Sequence, residues 1–157
     1  MKTLILGIGN TVLSDDGVGC KVAQRLEKRL KGQKGIIVKE TAVSGLSLLD
    51  EIAGYERLII IDAIQTRGGK PGAIYKLSPG DFKTGRMAVI HDVGLLTALE
   101  LGRKLEMEMP RNVVIIAIEA KDMATFSEEC TPEVKKAIPR AVEMVLKELG
   151  GDARLPD

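Results

Sequence analysis

Leu58-Ile59-Ile60-Ile61, closed by Asp62, is the stretch on which the fold turns. Four consecutive aliphatics with no polar alternation describe a strand buried on both faces, as in a parallel sheet covered by helices. Working outward, Thr3–Leu6 running into Gly7 and Val113–Ile118 have the same character, and Ile36–Val38 is a further strand. Between them the apolar period lengthens. Val18, Val22, Leu26 and Leu30 recur at helical spacing, with Arg25, Lys28 and Arg29 turned to solvent. Ser44 is placed to cap a short helix carrying Leu46, Leu49 and Ile52 before Gly54, and Asp92 to cap one through Leu95, Leu99 and Leu105. Thr131-Pro132-Glu133 opens a last helix with an apolar stripe from Val134 to Leu149, which Pro139 should kink or split.

Ala73–Leu77 is a weaker, alternating strand. The link from Asp62 to Ile74 holds Gly68, Gly69, Pro71 and Gly72 and no helical pattern, too short and turn-rich for a crossover helix. That strand therefore runs antiparallel to its neighbour. Five strands alternating with four helices give an α/β fold: a three-layer αβα sandwich with a five-stranded, mostly parallel sheet and one antiparallel strand. Residues 1–150 form one domain, followed by a frayed tail, 151–157.

Composition narrows the function. In 157 residues, 23 Lys and Arg balance 22 Asp and Glu, so no net field favours nucleic acid or an anionic membrane. Two Tyr, two Phe and no Trp weigh against base-stacking platforms. No apolar run is long enough to span a bilayer, and MKTLILGIGN has no signal-peptide core, which implies a cytoplasmic protein. Cys20 and Cys130 are too few and too far apart for a disulfide scaffold or a Cys-rich zinc site.

In such sheets the site lies beyond the carboxyl ends of the strands, which selects the loops after Leu6 and Ile61. Gly7-Ile8-Gly9 invites a dinucleotide reading, but Val12 stands where a third small residue is expected, and Asp15 and Asp16 would repel a pyrophosphate. One of those aspartates, Asp15, is the natural N-cap of the next helix, which leaves Asp16 to face the crevice. Asp62 closes the most buried strand at the same edge. His91 is the only histidine; a lone histidine is more often structural than a ligand, yet this one precedes the start of a helix. No G-x-S-x-G elbow is present. Cys20 reads as core, while Cys130 stays open as a partner for His91. Asp16, Asp62 and His91 together make a donor set suited to a divalent transition metal with open positions.

The motifs Gly7-Ile8-Gly9-Asn10-x-x-Leu13-x-Asp15-Asp16-Gly17-Val18-Gly19, Ile61-Asp62-Ala63 and His91-Asp92-Val93-Gly94-Leu95 resemble those of the hydrogenase maturation endopeptidases. Glu119-x-x-Asp122 and Phe126-Ser127-Glu128-Glu129-Cys130-Thr131-Pro132-Glu133-Val134 extend the likeness over almost the whole chain. The resemblance implies an αβα protease, classed as aspartic-type, that removes the C-terminal extension of a nickel–iron hydrogenase large-subunit precursor after nickel insertion. It implies that Asp16, Asp62 and His91 contact the precursor's nickel and carry the site. The family often has Glu where Asp16 stands, a side chain longer by one methylene, or about 1.5 Å of reach. Two other readings use the same residues: a non-enzymatic nickel carrier, and a nucleotide-binding module built on Gly7-x-Gly9.

Overall fold

A computed structural model of the chain describes residues 2–43, 45–83 and 93–150. Strands β1 (Thr3–Ile8), β2 (Ile36–Thr41), β3 (Arg57–Ile64), β4 (Ile74–Leu77) and β5 (Asn112–Glu119) form one sheet in the order β2-β1-β3-β5-β4. All neighbours are parallel except β4, which runs antiparallel to β5. Helices α1 (Val18–Arg29), α2 (Leu48–Ile52), α4 (Val93–Lys104) and α5 (Pro132–Leu149) cover the faces, and a single turn, α3 (Gly80–Lys83), follows β4.

The unbroken apolar strands are explained by their two faces. Every residue of β1 and β3 is buried. Along β3, Ile59 and Ile61 pack with Val22 and Leu26 of α1 and with Val134 to Val145 of α5. Leu58, Ile60 and Ile64 pack on the other side with Leu48 and Ile52 of α2 and Leu95 and Leu99 of α4. Each such aliphatic side chain taken fully from water stabilises the fold by about 1.5–3 kcal/mol. Asp62 falls between Ile60 and Ile64 in this alternation, which puts it on the α2–α4 side of the sheet.

Several local expectations are corrected. Asp62 does not close β3: Ala63 and Ile64 continue it, because they still pair with Ile118 and Glu119 of β5. Pro139 does not split α5, which runs as one helix of 18 residues, its stripe buried from Val134 to Leu149. Leu105 lies past the end of α4 and is 59% exposed; Leu46 sits in a turn before α2 and is 54% exposed. Ser44, His91, Asp92 and the tail 151–157 lie outside the described residues.

Candidate functional site

The strand order reverses between β1 and β3: from β1 the chain moves to one side for β2, then crosses back for β3. The carboxyl ends of these two strands therefore bound the crevice where open α/β sheets bind ligands. Asp16 arrives there on the loop after β1, within a 3₁₀ turn, Ser14–Gly17, that leads into α1. Asp62 arrives from within β3. Both carboxylates are buried, Asp62 to 2% exposure. Asp16 Oδ2 accepts the Asn10 N–H at 2.9 Å, and Asp62 Oδ1 accepts the Ala63 N–H at 2.8 Å.

The glycines that suggested a phosphate cradle serve packing instead. A Cβ on Gly9 would stand 1.9 Å from the Asp16 carbonyl oxygen, and one on Gly7 would stand 2.5 Å from that of Gly19. They let the start of α1 lie directly on β1. The loop's N–H groups are also engaged: Gly9 donates to Thr41 O, Leu13 to Asn10 O, Ser14 to Ser127 O, Asp15 to Asp122 O and Asp16 to Leu13 O. With the Asn10 N–H on Asp16 and the Val12 N–H on Asn10 Oδ1, these donors are already satisfied before any pyrophosphate arrives. The nucleotide-binding reading loses its physical basis.

Asp15 is not a helix cap. Its carboxylate is fully buried and crosses to the segment joining β5 and α5. Oδ1 accepts the Thr131 N–H at 2.7 Å; Oδ2 accepts the N–H groups of Lys121 (2.9 Å) and Asp122 (3.0 Å) and the Thr131 hydroxyl (2.8 Å). The hydroxyl of Thr131, at the start of α5, is thereby drawn away from capping its own helix. A parallel bridge between Leu13 and Ser127 completes the seam. Ser14 adopts a left-handed φ of 51°, a strained conformation that this seam on both sides sustains. Asp15→Ala should lower stability by about 2–3 kcal/mol, because four donors lose a charged acceptor at once, as read from the urea unfolding midpoint.

Both thiols are buried and held toward their neutral form. Cys20 Sγ donates to the carbonyls of Gly7 (3.7 Å) and Gly9 (3.6 Å). Burial, then the carboxylates of Glu40, Asp62 and Asp16, push its pKa up to about 12. The two site aspartates thus lie within electrostatic reach of one buried sulfur. Cys130 Sγ donates to Ser14 O at 3.8 Å, and burial, then Asp15, push its pKa up to about 11. Because the unfolded thiol ionises near 9.0, Cys130 contributes stability that is complete below that pH and is lost as pH rises toward 11. Alkylation of the native protein at pH 8 should therefore be slow. Wild type should also lose more stability than Cys130→Ser between about pH 8 and pH 10, by urea titration.

One buried carboxylate was overlooked as a structural centre. Glu119, 2% exposed at the end of β5, accepts the Thr66 N–H at 2.8 Å, the Thr66 hydroxyl, and the Tyr75 hydroxyl at 3.1 Å. It ties the turn after β3 to β4. The signal was present: Glu119 ends the Val113–Ile118 run just as Asp62 follows Leu58–Ile61.

Asp16, on the loop after β1, and Asp62, near the carboxyl end of the neighbouring β3, thus lie at the same edge of the sheet, while His91 lies outside the described residues. Among the described residues no three His, Cys, Asp or Glu side chains converge as a metal centre, and no helix is long and apolar enough to cross a membrane.

This architecture recurs in solved maturation proteases. The hydrogenase maturating endopeptidase HybD of Escherichia coli superposes with a TM-score of 0.82 at 27% identity, covering 98% of this chain and 94% of that one. The [NiFe] hydrogenase maturation protease HybD of Thermococcus kodakarensis gives 0.76 at 30% identity, covering 94% and 99%. The hydrogenase 2 maturation protease of Escherichia coli strain K12 is 28% identical over 152 residues, 95% of this chain and 91% of that protein. Fold and relatives together define a protease. The sequence profile of the hydrogenase maturation proteases matches residues 20–148, and the chain belongs to that family.

Proposed function

We propose that this protease removes the C-terminal extension from the large-subunit precursor of a nickel–iron hydrogenase once nickel has been inserted. In this reading Asp16, Asp62 and His91 contact the nickel that the precursor carries. The observation that carries it is the pair of buried carboxylates on either side of the switch point between β1 and β3. Carboxylate and imidazole donors suit a borderline divalent ion whose remaining positions are filled by the precursor's own thiolates. Holding that ion fixes the scissile peptide over the crevice, so positioning supplies much of the rate. A water activated by one of the aspartates attacks the carbonyl, which makes the enzyme aspartic-type. Cytoplasmic location suits two free, buried cysteines.

The test is incubation with nickel-loaded and nickel-free precursor, followed by intact mass. Loaded precursor should be cut once and empty precursor should stay whole. Transfer of nickel with both samples uncut would overturn the reading in favour of a carrier. Cutting of both would remove nickel from the recognition step.

A further inference from the structure

Large apolar side chains left in solvent are concentrated at the edge that holds Asp16 and Asp62. Among the described residues Val12, Ile37, Val43, Leu46, Leu105 and Phe126 are exposed, and four of the six lie in loops that follow β1, β2 and β5. Phe126 stands out furthest, at 85% exposure, in a chain with two phenylalanines and no tryptophan. At that exposure the ring adds little to the core, yet the backbone on both sides of it is held firmly. Asp122 Oδ1 accepts the N–H groups of Ala124 and Thr125, each at 2.9 Å. Ser127 N–H donates to Val12 O at 3.0 Å, and Ser127 O accepts the Ser14 N–H at 2.9 Å. The segment that presents Phe126 is thus bonded directly to the loop that carries Asp16, with Val12, itself 43% exposed, on the opposing side of the seam.

We propose that Phe126, flanked by Val12, is the substrate-gripping residue of this protease and seats an apolar side chain of the precursor polypeptide beside the scissile bond. The inference rests on the reading of Asp16 and Asp62 as the cutting site. A protease must hold an extended protein chain next to its carboxylates, and this rim is continuous with them. An aromatic ring on a loop already ordered by hydrogen bonds loses little further entropy when it is covered, which is how interface anchors contribute most of their affinity. The ring with Val12 beside it selects an aliphatic or aromatic partner side chain over a charged one.

The ring's exposure makes the test clean, since truncation opens no cavity. Cleavage of nickel-loaded large-subunit precursor is followed by intact mass over a range of precursor concentrations for wild type, Phe126→Ala, Phe126→Leu, Asp16→Asn and Asp62→Asn. Phe126→Ala should raise KM roughly tenfold, with kcat changed by less than about twofold. Phe126→Leu should recover most of the loss, and the melting temperature should not move. An unchanged KM in Phe126→Ala overturns the proposal. So does an unchanged KM accompanied by a shift in oligomeric state by light scattering, which would assign the ring to a contact between copies of this chain. Full activity in Asp16→Asn and also in Asp62→Asn is a separate outcome: it defeats the assignment of the cutting site, and the KM of Phe126→Ala is still read against an active wild type.

Discussion

Asp62→Asn is expected to lower kcat/KM for precursor cleavage by about a thousandfold while leaving the melting temperature within a few degrees of wild type. The substitution is isosteric, so β3 keeps its packing between α1 and α4, and the amide oxygen can still accept the Ala63 N–H. What disappears is the negative charge at the end of the switch-point crevice. Asp16→Asn should behave alike, since the amide oxygen can replace Oδ2 as acceptor for Asn10. His91→Ala, drawn from the resemblance, completes the set. Steady-state cleavage measured beside thermal melts separates chemistry from folding. Full activity in any two of these three folded variants would sink the site assignment.

Gly19→Ala is expected to destabilise the protein by about 4 kcal/mol or more, or to prevent folding altogether. Helix propensity alone predicts the opposite sign, because alanine in place of glycine within a helix is worth about 1 kcal/mol of stability. Here a Cβ would stand 2.2 Å from the Ile61 carbonyl oxygen and 2.8 Å from that of Ile8. Those are backbone atoms of the two central strands, so no change of rotamer can relieve the contact. Relief would require α1 to lift away from the sheet, taking with it the burial of Val18, Val22 and Leu26. Urea unfolding of Gly19→Ala against Gly80→Ala, whose added Cβ meets only Ser78 Oγ at an ordinary 3.8 Å, would isolate the contact. A loss no larger at Gly19 than at Gly80 would refute the packing argument. The effect should extend to activity, since Gly19 abuts the residue that precedes Asp62.

The architecture was legible in the chain because burial on two faces writes itself as unbroken aliphatic runs. Leu58–Ile61, Val113–Ile118 and Thr3–Leu6 could be placed as strands, and the glycine-rich link before Ile74 correctly excluded a crossover helix. The polar residues were harder. Asp15 looked like a cap because an aspartate before a helix usually is one. Its actual partners, Lys121, Asp122 and Thr131, lie too far along the chain for any local pattern to reveal. The Gly7-x-Gly9 pair invites a dinucleotide reading, but spacing does not say whether a ligand or a helix approaches the backbone there. The added Cβ contacts with Asp16 and Gly19 answer that question. Asp62 lies near the carboxyl end of β3 without closing it, because the pairing of that strand with β5 outlasts the hydrophobic run.

The seam that Asp15 makes with Lys121, Asp122 and Thr131 also sets an order in time. Its hydrogen bonds join residues 106, 107 and 116 positions apart. During synthesis Asp16 emerges early, in a stretch that already has its glycines and its first strand. Its loop cannot take its final shape until Thr131 has followed it out, by which point β1, β2, β3 and β5 all exist. Closing so long a loop comes late on statistical grounds as well, because the chain gains nothing from the closure until both ends are held. With Asp16 in the proposed site, a nascent or truncated chain would carry the carboxylate without the geometry that the proposal requires, and cleavage competence would arrive as one of the last properties the molecule acquires.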